Sequence, residues 1–139
     1  MKHFFILLLS IFAISVSFGQ EITNSNGDTI GAYDASHSVI RSNDSSVLLK
    51  FESDGDIFDM NNDLVAHFNN STGEFTDLNN DVIGIISSSG EIENAAGSVL
   101  GSISATGVLT DTGSSTIANA NGIDNYKIVY LFCFSSIFK

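Results

Sequence analysis

The sequence predicts an all-β fold: a closed barrel of five to six antiparallel β-hairpin repeats, with an apolar C-terminal segment packed in or on it. Three observations predict it. A period of 17 to 18 residues recurs from Glu21 to the last third of the chain. Asn, Asp, Ser and Gly pairs fall at a fixed place in each period, where tight turns need them. The chain has no Pro and twelve Gly, a composition that favours many short turns over long helices.

Taken in order, the chain opens with "MKHFFILLLSIFAISVSFGQE", a cationic Lys2, an apolar core of about ten residues and small residues at Ser17 and Gly19. That is the pattern of a cleavable export signal over residues 1 to 19, with the cut before Gln20. Its apolar core falls short of the roughly twenty residues a membrane span requires. No Cys stands near the cut to carry a lipid. The rest, about 120 residues, suits one domain with one core. A single Cys rules out an internal disulfide, so stability has to come from packing.

Loss of Lys2 would leave four basic residues against sixteen acidic ones, a net charge of about −12. Such a surface opposes nucleic acid and anionic lipid and favours solubility or cations.

The repeat domain, residues 20 to 125, contains units beginning at Glu21, Val39, Asp56, Glu74, Glu91 and Val108. The second residue of each is apolar: Ile22, Ile40, Ile57, Phe75, Ile92 and Leu109. The tenth is aliphatic: Ile30, Leu48, Val65, Ile83, Leu100 and Ile117. The sixth and seventh read Asn26-Gly27, Asp44-Ser45, Asn61-Asn62, Asn79-Asn80, Ala96-Gly97 and Gly113-Ser114. Most of these pairs suit a two-residue loop with positive φ at both residues, so each unit reads as a hairpin.

Counting outward from that loop puts position two opposite eleven and position four opposite nine. Position eleven is mostly small (Gly31, Leu49, Ala66, Gly84, Gly101, Ala118), so a large group usually faces a small one. Position thirteen (Tyr33, Phe51, Phe68, Ile86, Ile103, Ala120) continues the same stripe. The tenth-position aliphatics then fall on the opposite face, as a ring covered by the tail or exposed for a partner; a one-residue slip would swap the faces. Gly-ended turns at Asp54-Gly55, Thr72-Gly73, Ser89-Gly90 and Thr106-Gly107 join the units into a meander. Closure of that meander would remove its edges. The rival is a left-handed parallel β-helix, which would show a hexapeptide rhythm; apolar positions two, nine, ten and thirteen favour hairpins.

The skeleton in "DLNNDVIGII" and "DMNNDLVAHF", with "YLFCF" near the end, resembles the five-fold β-flower proteins. These are small exported bacterial chains whose hairpin petals form a shallow pseudo-symmetric barrel followed by an apolar, aromatic segment. The resemblance spans Ile22 to Phe138 and implies a fold, with no activity or catalytic residue to carry over. The chain departs from the pattern in its sixth unit, where Ala120 replaces a bulky residue, and beyond Phe134.

No residue is assigned a catalytic, cofactor-binding or metal-binding role. Asp59, Asn61 and Asp63, like Asp77, Asn79 and Asp81, alternate oxygen ligands as a calcium loop does, but lack its sixth-position Gly and twelfth-position Glu. Turn chemistry is the expected reading and a weak cation site the other. His37 and His67 lack zinc spacing and a nucleophile partner, so they read as surface residues. Glu91 and Glu93 share one strand face, not two sides of a cleft.

Cys133 reads as a small buried hydrophobe. It lies in "YKIVYLFCFSSIFK", residues 126 to 139, read as a plug or last strand of the core, with contact to membrane or partner as the other reading. The functional expectation is a non-catalytic exported scaffold or binding module of the bacterial envelope, periplasmic or extracellular, with no cofactor, no nucleic acid and an unspecified ligand. The alternative is a protein that contacts lipid through its aromatic C-terminal segment.

Overall fold

A computed structural model describes residues 19–137; the expected signal peptide lies outside the described residues apart from Gly19, as do Phe138 and Lys139. Twelve strands form one closed antiparallel barrel in strict sequence order, β12 returning to β1. They are β1 Gln20–Asn24, β2 Thr29–Asp34, β3 Val39–Ser42, β4 Val47–Phe51, β5 Asp56–Asp59 and β6 Leu64–Asn69. The second half is β7 Glu74–Thr76, β8 Val82–Ile86, β9 Glu91–Asn94, β10 Val99–Ile103, β11 Val108–Asp111 and β12 Thr116–Asn119. Six hairpins therefore make the ring, and stacked parallel coils are excluded.

Position two faces position eleven in all six hairpins: Ile22 opposite Gly31, Ile40 opposite Leu49, Ile57 opposite Ala66, Phe75 opposite Gly84, Ile92 opposite Gly101, Leu109 opposite Ala118. The loop is another matter. Only the seventh residue has positive φ, at Gly27, Ser45, Asn62, Asn80, Gly97 and Ser114. The fourth N–H donates to the eighth carbonyl and the seventh N–H to the fourth carbonyl, as in Asp77 to Asp81 at 2.9 Å and Asn80 to Asp77 at 3.0 Å. The expected two-residue loop is thus a three-residue loop, a tight turn closed by one left-handed residue.

Position four consequently faces eight, and three faces nine, correcting the expected four-to-nine pairing. The register recovers because every hairpin carries an extra residue next to position eleven, as between Phe75 and Thr76 opposite Val82 to Gly84. That residue is the tenth. A bulge breaks side-chain alternation, so ten and eleven both turn toward the interior. The tenth-position aliphatics are half-buried and pack against the core, which corrects the expected ring on the opposite face.

The fourth side chain explains the loop. In five hairpins it is Asn or Asp, and its oxygen accepts from the sixth and eighth N–H, as Asp59 does from Asn61 at 2.8 Å and Asp63 at 3.0 Å. Ser42 stands there in the second hairpin, and Asp44 takes over by accepting from Ser46 N–H.

Of the turns between hairpins, those at Gly55, Gly90 and Gly107 use the same geometry and those ending at Ser38 and Gly73 are one residue longer, with all five of these residues at positive φ. The carbonyls of Gly55, Gly73, Gly90 and Gly107 accept from Phe68, Ile86, Ile103 and Ala120, the thirteenth residues. Each thirteenth residue in turn faces the second of the next hairpin, as Phe68 faces Phe75 and Ile103 faces Leu109. Positions two, eleven and thirteen so form a continuous inner wall.

The tail fills that wall. At Ala120 the chain turns inward, Ile123 N–H donating to the Ala120 carbonyl, and a small residue leaves room for the turn. Helix α1, Asn125–Val129, continues as a wide π turn, Tyr130–Phe134, closed by Ser135 N–H on the Tyr130 carbonyl at 2.8 Å. Ile128, Val129, Tyr130 and Leu131 belong to the buried core. Phe134 occupies the space over Gly84, where a Cβ would come within 2.0 Å of its ring.

Two glycines with similar φ separate backbone preference from steric contact. Gly97 (φ 76) has nothing near an added Cβ, whereas a Cβ on Gly90 (φ 88) would lie 2.1 Å from the Ile103 carbonyl oxygen. Gly97→Asn is expected to change stability by less than about 0.5 kcal/mol, Asn already holding that place elsewhere, and Gly90→Ala to cost about 2 kcal/mol or more. Urea denaturation of both variants measures the contrast; equal losses would contradict it.

Candidate functional site

The turns between hairpins gather at one end of the barrel around an open bowl of about 1410 Å³. Its floor is built by the tail and the inner wall. Tyr126, from the first turn of α1, stacks on Phe68 with ring centroids 4.5 Å apart and planes 2° apart, and meets Phe51 edge-on at 5.8 Å. Lys127 follows it, with its side chain only 8% exposed. The rim carries hydroxyl, amide and carboxylate groups, including Glu52, Asp54, Asn70, Ser71 and Ser88.

A buried ammonium needs partners, and Lys127 has them. Its Nζ donates to Asp124 Oδ2 at 2.8 Å and to the Tyr33 hydroxyl at 2.7 Å, and lies 4.2 Å from the centre of the Tyr33 ring. Burial, the largest single influence, pulls its pKa down. The hydrogen bonds to Asp124 and Tyr33, with the charge of their neighbourhood, outweigh that and hold the pKa above the ordinary lysine range. The ammonium therefore ties the plug to β2 at the bowl floor. The chain between α1 and β2 spans nearly the whole repeat, so this bond closes the structure end to end.

A ring of hairpins closed around an aromatic, helical tail is the architecture the residues resembled, and a family model described as "5-fold beta-flower protein" matches residues 19–136. The chain belongs to that family. Comparison with curated proteins and with solved structures gave no match. This β-flower protein closes its ring with six hairpins where the family's description is five-fold.

The residues singled out from the sequence fall at separate places on the β-flower. Asp59 and Asp77 hold their own loops, and the N–H groups of Asp63 and Asp81 lead the interactions that lower their pKa values. One oxygen of each, Oδ1, is therefore occupied by backbone in the way turn chemistry requires, and the other, Oδ2, faces the side-chain amide of Asn61 or Asn79. Among the described residues no group of three or more His, Cys, Asp and Glu gathers to hold a metal ion. His67 pairs through Nδ1 with Asp56 at 2.9 Å and borders the bowl.

His37 stands beside Ser36 and Asp34 in the first turn between hairpins, a Ser-His-Asp trio by composition. Both neighbours meet the same nitrogen, Nδ1, at 2.9 Å and 2.7 Å, whereas a relay needs one on each ring nitrogen. The trio shapes a turn, and its hydrogen bonds from Ser36 and His37 bring Asp34 down to about 2. Glu91 and Glu93 flank the fully buried Ile92 and so face outward. Cys133 is half-buried against the core.

Sequence reading passed over Asp124, Tyr126 and Lys127 as a site. The available signal was Lys127 as the one charge in an apolar run, three residues after an Asp, a spacing that brings two helical side chains together.

The raised Lys127 pKa gives a signed pH effect. Its contribution is full below the unfolded lysine value of about 10.4 and disappears as pH rises through the higher folded value. Tyr126 and Tyr130, also raised by burial, add an alkaline loss of their own. Melting temperature is expected to hold toward pH 10 and fall beyond it, and Asp124→Asn to shift the onset of that fall to lower pH. Superimposable profiles of the two proteins would refute the role given to Asp124.

Proposed function

We propose that this β-flower protein is an exported, non-catalytic binding module of the bacterial cell envelope, and that it takes a polar ligand, with envelope glycans as the chemical class to test first, in the bowl. The observation that carries the reading is the bowl itself: a concave, open end with aromatic rings at the floor and hydroxyl and amide groups at the rim. Pockets of this kind offer flat apolar faces for a ring and directional polar groups for its substituents. Export is supported by the leader and by β1 beginning at Gln20, so that a cut before this residue leaves the barrel whole. A non-catalytic role is supported by the separation of the titratable groups: His67, His37, Glu91 and Cys133 each serve a different part of the fold.

Lipid contact through the aromatic tail is the weaker reading, because Ile128 to Leu131 is enclosed by the barrel. No helix among the described residues is long and apolar enough to cross a membrane. The strands are three to six residues long, against about 9–11 for a membrane-crossing strand.

Ser88 is exposed on the rim, so Ser88→Trp is expected to fill part of the bowl while leaving the melting temperature within a few degrees of the parent. The exported protein, its N-terminus read by mass spectrometry, is to be applied to a glycan array and titrated with any hit by NMR. A hit whose shifts map to the bowl and that weakens at least about tenfold in Ser88→Trp is expected. Absence of any hit, or binding insensitive to Ser88→Trp, would dismiss the bowl as the glycan site. Liposome flotation of the same protein is expected to leave it in the soluble fraction; flotation would favour the lipid reading.

A further inference from the structure

The six hairpins provide an internal comparison for every surface position. A place that the fold requires to be apolar should be apolar in each copy; a place that is apolar in only some copies answers to something else. Position nine faces position three on the outer side of every hairpin, and position five lies in the loop. In the first and sixth hairpins position nine is Thr29 and Thr116, and position five is Ser25 and Thr112. In the third, fourth and fifth hairpins position nine is Leu64, Val82 and Val99, which are 40%, 37% and 45% exposed. Position five of the third and fourth is Met60 and Leu78, each 62% exposed.

These five are the large exposed apolar residues among those described, and they lie on three adjacent hairpins at the end opposite the bowl. The second hairpin has Asn43 and the half-buried Val47 at these places, but Ser25, Thr29, Thr112 and Thr116 do the same structural work in the first and sixth, so the apolar row is not a folding requirement. Exposed apolar residues gathered on neighbouring hairpins, with Leu64 and Leu78 in one groove, mark an interaction surface.

Charge selects the occupant. Leu64, Ala66 and Leu78 line one groove of about 300 Å³ with Asp77 and with Asp56, which is paired to His67 at 2.9 Å, so carboxylates border the apolar floor. Asp59 and Asp63 stand at the neighbouring loop base and Asp81 at its counterpart in the fourth hairpin. The loop hydrogen bonds hold Asp59 and Asp77 ionised by lowering their pKa values. A second copy would bring another chain of formal charge −11 against these carboxylates, and an anionic bilayer would be repelled in the same way.

We infer that the outer row on the third to fifth hairpins docks a cationic amphipathic polypeptide segment, its apolar side chains on Leu64, Leu78 and Val82 and its Lys or Arg side chains on Asp59, Asp77 and their neighbours. A long basic side chain suits this floor because its methylene stem covers apolar surface while its head reaches a carboxylate. The groove shares His67 with the lining of the bowl, but Leu64, Asp77 and Leu78 belong to the groove alone, and the inference stands or falls independently of the glycan reading.

The probe is a synthetic peptide of alternating Lys and Leu, with an alternating Glu and Leu peptide as comparison, titrated into the full exported protein by two-dimensional NMR. The Lys peptide is expected to shift amides of the third to fifth hairpins at the loop end, and the Glu peptide to shift none. The triple variant Leu64→Thr, Leu78→Thr, Val82→Thr takes the residues that the sixth hairpin already uses there, Thr112 and Thr116. It is expected to melt within a few degrees of the parent and to bind at least about tenfold more weakly.

The pair Asp59→Asn, Asp77→Asn keeps the loop caps, since Asn24 and Asn94 serve identically, and removes only charge. It is expected to weaken binding by about tenfold and to flatten its salt dependence. Binding that maps outside the row, or that survives the triple variant or the charge-removing pair, overturns the inference. So do equal binding of the Glu peptide, self-association through the row in sedimentation, and flotation on neutral phosphatidylcholine vesicles that the triple variant abolishes.

Discussion

The structure depends on one extra residue in the second strand of every hairpin. Without it, the tenth side chain would point outward and the wall would carry one apolar group in two. With it, the tenth and eleventh residues both reach the interior, so each short hairpin supplies inward groups at positions two, ten, eleven and thirteen. Hairpins of three to six residues per strand have little area to bury, and this arrangement raises the share of it that reaches the core. A bulge also increases local twist and bends the strand. Repeated six times in register, the same bend carries β12 round to β1 and leaves no open edge.

A ring this wide needs filling, and the tail fills it with unequal groups. Phe75, fully buried, touches Phe68, Tyr130 and Phe134 at centroid distances of 4.7, 6.0 and 5.0 Å. Removing a ring so enclosed typically costs about 3–5 kcal/mol. Gly84 is small because Phe134 lies over it, and Gly31 because the Arg41 carbonyl approaches it within 2.6 Å of where a Cβ would be. The large-against-small pairing read from the sequence thus has two causes: the partner across the hairpin, and whatever the next strand or the tail places above the small residue. Lys127 adds the one buried charge among the described residues, bonded to Tyr33 and Asp124.

The two ends of the ring follow different rules. At the bowl end, the turns between hairpins are drawn in by carbonyl bonds to the thirteenth residues, and their glycines stand close to the neighbouring backbone. At the loop end of the five hairpins with Asn or Asp in the fourth place, that side chain satisfies the loop from within and leaves the fifth and ninth residues free to vary. That freedom is where the copies diverge, from Thr29 and Thr116 to Leu64, Val82 and Val99. Repeating a skeleton while the outer residues drift lets one fold present different surfaces around its circumference.

By itself the sequence determined the hairpins, their number to within one, the pairing of positions two and eleven, and the apolar nature of the tail. These follow from short-range chemistry: a left-handed residue requires Gly, Asn or their like, and a period of apolar positions fixes which residues share a face. It also contains the signs of the three-residue loop. Ala96 at position six argued against positive φ there, and a short acceptor at position four in every unit pointed to the three-residue loop. Only the tertiary structure decided that the tenth residues turn inward, that the tail is a helix inside the ring, and that Asp124, Tyr126 and Lys127 meet Tyr33, Phe51 and Phe68 at one floor. The reason is physical. A bulge is set by how neighbouring hairpins must curve to close, and a contact between residues 33 and 127 exists only after closure, so neither leaves a local mark along the chain.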